Sequence, residues 1–279
     1  MTRFEMPVNA NYDVYLQRMD LSAERSSKGL IPRLAIGRTL DIGCGSGVLL
    51  RSLENAKGID LNPKAVEECR GQDLDVECIS LADLGERFDT VIFSSVLHEF
   101  SSYADYGRFT EGPILEALSQ AYDKLNPGGR LIIRDGIEGS RDLKRIIART
   151  PEVAASFTRY MWENPVYHES YNIYPYSRSG NVFCIEAQER VLKEYMFTHT
   201  WGKESYPREV NEKYGILTVD KWAEVVSKSG FTIESLKTYP EEYEKFLSKY
   251  FYLDGELCLT NDLHSIFEQS VILIVATKK

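Results

Sequence analysis

The sequence predicts an α/β protein built on a doubly wound sheet. Three observations carry that prediction. Short apolar runs alternate with amphipathic segments from residue 39 onward, a glycine-rich turn follows the first run, and Phe88 to Ser94 is apolar enough to be covered on both faces. The chain has 279 residues, 43% of them apolar and 27% charged, an ordinary globular composition and not that of a disordered chain.

Thr39-Leu40-Asp41-Ile42-Gly43 reads as the first strand, and Val48, Leu49, Leu50 and Leu53 open a helix behind the turn. Ala56-Lys57-Gly58-Ile59-Asp60 is a short second strand ending on an acid. Asn62-Pro63 starts the next helix, an N-cap followed by proline at the first helical position. Val76-Glu77-Cys78-Ile79 is the third strand and Phe88 to Ser94 the fourth. Ile114, Leu118, Ala121 and Leu125 recur at helical spacing until Asn126-Pro127-Gly128-Gly129 stops them, and Arg130 to Arg134 makes the fifth strand. Trp222, Val225 and Val226 lie on a helix closed by Gly230. Phe231 to Leu236 and Ser270 to Thr277 are the last two strands, separated by a stretch in which Tyr243, Phe246, Leu247, Tyr250 and Phe251 share a helical face.

Residues 139–217 fall outside this rhythm and divide the chain into 1–138, the insertion, and 218–279. The insertion holds helical pieces around 141–149 and 152–162, then irregular sequence rich in Tyr and Pro. Its expected place is over the carboxyl edge of the sheet, where open α/β folds bind ligands. Thirteen aromatic residues lie between Phe157 and Tyr214, about twice the chain's average density. A Tyr-rich cap of this kind provides an apolar wall with hydroxyl handles, suited to a small-molecule partner.

Asp plus Glu number 42 against 33 Lys plus Arg, a formal charge of -9, which disfavours nucleic acid as a partner. The exception is a basic ridge, Arg141, Arg145 and Arg149 with Lys144, spaced as one helix face. The five cysteines are scattered and never paired as C-x-x-C, which suits a reducing cytoplasm. The longest apolar run, Val271 to Ala276, is far below the ~20 residues that span a bilayer, and Met1-Thr2-Arg3-Phe4-Glu5 precedes no apolar signal region. No membrane association is expected.

The chemistry concentrates in Leu40-Asp41-Ile42-Gly43-Cys44-Gly45-Ser46-Gly47. A glycine turn between strand and helix lets backbone approach a ligand closely. The spacing is G-x-G-x-G, with Val48 in the place of the third dinucleotide glycine. Asp41, ending the strand, would repel a pyrophosphate but suits a ligand carrying positive charge.

This D-x-G-x-G-x-G pattern resembles motif I of the class I S-adenosylmethionine-dependent methyltransferases. The resemblance runs through most of residues 39–135 and returns at 218–277. It implies S-adenosylmethionine as cofactor and a Rossmann-like seven-stranded sheet with the last strand antiparallel. By position, Asp41, Gly43, Gly45 and Gly47 match the loop around the methionine half, and Asp60 the acid that takes both ribose hydroxyls. Leu61 would flank the adenine, and Asp83, followed by Leu84, matches the acid that meets the adenine amino group. Ser94 and Ser95 occupy the position bordering the cofactor after strand four, where many members have Asn in place of Ser95. Tyr12, Tyr15 and Arg18 belong to a polar arm that, by the family's habit, closes over the cofactor carboxylate.

Three groups are candidates for work near the reacting methyl. His98-Glu99 follows strand four as a candidate base and its orienting partner. Arg134 and Asp135 end strand five, as a carboxylate clamp and a group to fix a substrate amine or hydroxyl. Tyr167, His168, Tyr171, Tyr174 and Tyr176 in the insertion are expected to line the acceptor pocket. No metal site stands out, since His98, His168, His199 and His264 stand apart from Cys and lack H-x-x-x-H spacing. The expected activity is methyl transfer to O or N of a small or medium organic molecule. The alternatives are a tRNA or protein acceptor gripped by the Arg ridge, a cofactor-binding subunit without catalysis, and cyclisation of the cofactor's aminoalkyl chain.

Overall fold

The computed structural model describes residues 27–175, 182–240, 247–253, 256 and 261–279. The expectations for Tyr12, Tyr15, Arg18, Tyr176, Tyr243 and Phe246 lie outside the described residues. β1 is Thr39–Ile42, buried throughout. The glycine turn after it leads into a single 3-10 turn, Leu50–Ser52, and not the longer helix expected there. Gly43, Gly45 and Gly47 all take positive φ, which an α-helix cannot propagate. Leu49 and Leu50 then point into different apolar clusters and do not share one helical face.

β2 is Ala56–Ile59, and α1, Pro63–Arg70, begins as expected with the Asn62 side chain accepting the Lys64 N–H. β3 keeps only Val76–Glu77 of its expected run, and β4 is Phe88–Ser94. α2 spans Leu97–Ser102 and α3 Gly112–Lys124. Leu125 leaves the helix and opens β5, Leu125–Gly136, whose Asn126-to-Gly129 stretch is a register irregularity against β4.

The insertion contains β6 (Leu143–Ala148), α4 (Pro151–Glu163), β7 (Asn172–Pro175), β8 (Phe183–Gln188), α5 (Glu189–Thr200) and α6 (Gly202–Glu209). Its three strands form an antiparallel sheet in the order β6-β8-β7. The helix expected over 141–149 is therefore a strand, with the β-branched Ile146 and Ile147 buried against β8. Two members of the basic ridge are matched by acids: Arg145 pairs with Glu186 directly across the strands, and Arg149 with Glu256.

α7 (Val219–Lys228), β9 (Phe231–Tyr239), α8 (Leu263–Phe267) and β10 (Val271–Lys278) complete the chain. The main sheet has seven strands in the order β3-β2-β1-β4-β5-β10-β9, with β10 antiparallel to both neighbours. Its central strands are buried on both faces at period two. Val91, Phe93, Leu131, Ile133, Ile272 and Ile274 pack with the helical layer that includes Trp222, whereas Ile92, Ile132 and Leu273 pack on the other side with Ile31 and Leu49. Trp222 is fully buried, and its indole N–H donates to the Gly136 carbonyl at 3.1 Å. Trp222→Ala is expected to cost about 3–5 kcal/mol, measured as the shift of the urea unfolding midpoint.

The cap has a separate aromatic core. Phe157 meets Tyr171 and Tyr195 edge-on at 5.3 and 5.0 Å, and Leu247, Phe251, Ile266 and Phe267 join from beyond β9. Phe251 stands in a bridge to Ala148, where a shared helical face was expected.

Candidate active site

The strand order reverses between β1 and β4, so the crevice at their carboxyl ends is where a ligand is held. At Gly43, φ is +65° and a Cβ would stand 2.5 Å from a Val96 methyl, so only glycine lets the turn lie against the segment after β4. Asp60 pins this turn to β2. One carboxylate oxygen accepts the Gly45 N–H at 2.9 Å and the other the Asn62 N–H at 2.8 Å. Burial pushes the Asp60 carboxyl up, with those backbone donors pulling against it.

Asp41 is buried beneath the turn, in a cleft lined also by Lys28, Gly43, Cys44, Ser46 and Ser94. Burial raises its pKa to about 7; the Lys28 ammonium opposes the rise and Asp60 adds to it. The Ser94 hydroxyl is buried without a hydrogen-bond partner. A buried acid, an orphaned hydroxyl and a cradle that a Cβ would fill together fit the methionine end of S-adenosylmethionine.

Other residues named from sequence scatter more. Ser95 takes φ +59° and its hydroxyl accepts from the Arg134 guanidinium, which also donates to the Ser27 hydroxyl at 3.0 Å. Arg134 is thus buried and ties residue 27 to the end of β4. Leu61 is exposed, Asp83 is exposed and receives the Ser80 hydroxyl at 2.6 Å, and Leu84 is in the core.

A second group assembles beside the first because β4 and β5 are parallel neighbours, with Ser94 opposite Arg134. The chain after β4 therefore runs past Asp135. Asp135 receives the His98 backbone N–H at 3.2 Å through one oxygen and holds His98 Nδ1 at 2.8 Å through the other. His98 Nε2 faces Glu212 Oε2 at 3.6 Å. Burial opposes charge on this imidazole, but Asp135 and Glu212 outweigh it and hold the pKa well above the ordinary histidine range.

Glu99 pairs with Arg208 at 2.9 Å, and Arg208 also reaches Glu212 at 3.1 Å. Burial pushes Glu99 up to about 7, against the pull of Arg208. The Tyr103 hydroxyl donates to Glu212 at 2.7 Å, the Tyr214 ring lies 5.1 Å from His98, and the Tyr214 hydroxyl bonds Glu209.

Sequence reasoning missed Arg208, Glu212, Tyr103 and Tyr214. The i, i+4 spacing of Arg208 and Glu212 was the available signal. Of the tyrosines it chose, Tyr167 is buried in the cap core and Tyr171 half-buried, while His168 and Tyr174 are exposed, Tyr174 on the edge strand β7. The ring the structure sets against His98 is Tyr214.

A family model described as a methyltransferase domain matches residues 16–236. An S-adenosylmethionine-dependent methyltransferase from Mesorhizobium loti shares the fold, with 16% identity and a TM-score of 0.50 over 90% of this chain and 95% of that one. A methyltransferase of the same dependence from Methanosarcina mazei matches with 15% identity and a TM-score of 0.46, over 89% of this chain and 96% of that one. A Salinispora arenicola protein described as a non-canonical nonribosomal peptide synthetase is 32% identical over 127 residues, which is 40% of this chain but only 2% of that one. Among the described residues no helix is long and apolar enough to cross a membrane. The sheet order, the glycine turn and the family match together place this chain in the class I S-adenosylmethionine-dependent methyltransferase family.

Proposed function

We propose that the protein transfers a methyl group from S-adenosylmethionine to an oxygen or nitrogen of a small or medium organic molecule held beneath the cap. One juxtaposition carries the reading: Asp41, the glycine turn and Asp60 on one side of the carboxyl edge, and His98, Glu99 and Asp135 on the other. Asp41 takes the cofactor ammonium, Gly43, Gly45 and Gly47 lie along its methionine half, and Asp60 takes the ribose hydroxyls. Leu61 and Asp83 frame the adenine, and Ser94 and Ser95 border the sulfonium.

Methyl transfer from a sulfonium disperses charge, so the chain acts mainly by positioning the acceptor and excluding water. Asp135 fixes the His98 ring, and the cluster around it receives a proton from an acceptor that carries one. The free thiols of Cys44, Cys69, Cys78 and Cys184 support a cytoplasmic setting.

Turnover with a panel of small phenols and amines tests this reading, with S-adenosylhomocysteine expected as the coproduct. Methylthioadenosine in its place would mean aminoalkyl chemistry. His98→Ala is expected to lower turnover by about 100-fold or more, and unchanged turnover would remove His98 from the reaction.

Asp41 adds a pH dependence. Its folded pKa, about 7, stands above the ordinary 3.8, so the ligand-free protein has this group's full stability below about pH 4 and loses it as pH rises through 7. A bound ammonium favours the ionised form. Cofactor binding should therefore tighten roughly tenfold between about pH 5.5 and 7, below the range where the ligand's own amine titrates. Calorimetry across that range, with Asp41→Asn as the flat control, measures it.

A further inference from the structure

Three side chains from two distant parts of the chain meet at the acceptor side of the crevice. His98 and Glu99 come from α2 and Glu212 from just beyond α6, each offering a ligand atom within 4.8 Å of the others. We propose that they form a binding site for a divalent cation of the mixed nitrogen–oxygen class, Mn2+ or Zn2+, with its exchangeable positions on the Glu99 side.

The spacing is the first reason. His98 Nε2 and Glu212 Oε2 stand 3.6 Å apart, too far for a good hydrogen bond. Two atoms that each lie ~2.1 Å from a shared cation are about 3–3.5 Å apart, so a small closure suffices. The second reason is that each ligand is held from behind. Asp135 on Nδ1 at 2.8 Å aims Nε2 into the cluster. The Tyr103 hydroxyl and Arg208 Nε occupy Oε1 of Glu212 and leave Oε2 facing the imidazole. Arg208 Nη2 holds Oε1 of Glu99. Outer partners of this kind orient metal ligands and fix the histidine tautomer.

Charge is the third reason. Asp135, Glu99 and Glu212 bring three carboxylates around the Arg208 guanidinium, so acids outnumber the paired cation among the described residues and a dication would supply positive charge there. Glu209 beside them keeps a buried carboxyl oxygen with no partner. One imidazole with two carboxylates suits Mn2+ or Zn2+ better than the all-oxygen preference of Ca2+. Glu99 is 22% exposed against 6% and 2% for His98 and Glu212, so water or an acceptor oxygen reaches the cation past Glu99.

The role at the acceptor rests on the methyl-transfer reading; the site itself does not. The full chain, freed of metal with a chelator, is titrated with Mn2+ in the absence of S-adenosylmethionine while the spectrum of the free ion is followed by electron paramagnetic resonance. One saturable site per chain is expected. Glu212→Gln and Glu99→Gln should each weaken it at least tenfold, and Asp135→Asn, which leaves all three ligands in place, by about 10- to 100-fold. Circular dichroism reports whether each variant is folded, and where Glu212→Gln is not, Asp135→Asn decides. No saturable binding of Mn2+ or Zn2+ up to about 1 mM, or binding unchanged in the folded variants, overturns the proposal and leaves Arg208 to counter these carboxylates. Calorimetry of S-adenosylmethionine with the metal-free protein is a separate readout, and its failure would count against the cofactor reading alone.

Discussion

Asp60→Ala is expected to bind S-adenosylmethionine at least about 100-fold more weakly than the wild type, read by calorimetry near neutral pH. A carboxylate that accepts from both ribose hydroxyls makes two charge-assisted hydrogen bonds of ~1.5–3 kcal/mol each, and every 1.4 kcal/mol is tenfold. The same side chain receives the Gly45 and Asn62 N–H groups, so its loss also slackens the turn against which the cofactor lies. Asp60→Asn retains the size and one carbonyl acceptor, and should fall between wild type and alanine. An alanine variant that remains folded and binds normally would refute the ribose role. A fall in stability with unchanged affinity would reduce Asp60 to a brace for the turn.

How far the sequence foretold this arrangement differs by element, for physical reasons. Phe88–Ser94 matches its expected span because a central strand buried on both faces carries a continuous apolar run, here Val91-Ile92-Phe93, that no amphipathic helix would show. The start of α1 was equally legible, since Asn62 and Pro63 act locally. The stretch 141–149 misled because arginines four apart also lie on one face of a strand, at even spacing. Only β8, some forty residues later, decides between the two periods. The family resemblance and the ends of β4 and β5 brought His98, Glu99 and Asp135 into view, as adjacent parallel strands require. Arg208 and Glu212 stayed hidden because their contacts depend on how the cap folds back over the sheet, which no local pattern encodes.

Arg208→Ala should destabilise the protein by about 3–5 kcal/mol, because removing one partner of a buried ion pair strands the others. Arg208 is buried, and it joins Glu99 on the sheet side to Glu212 at the foot of the cap. With the guanidinium gone, two carboxylates share a space that already holds Asp135 and Glu209, and they must take up protons or rehydrate. The cost is therefore partly recovered in Arg208→Ala/Glu99→Gln, which removes one stranded charge. A double-mutant cycle from chemical denaturation should show a coupling on the order of 1–3 kcal/mol. Because this contact bridges cap and sheet, amide exchange in α2 and α6 should quicken more than in the β4–β5 core. A single-variant loss below about 0.5 kcal/mol, the range of ordinary surface changes, would show that the cap is held by its aromatic packing alone.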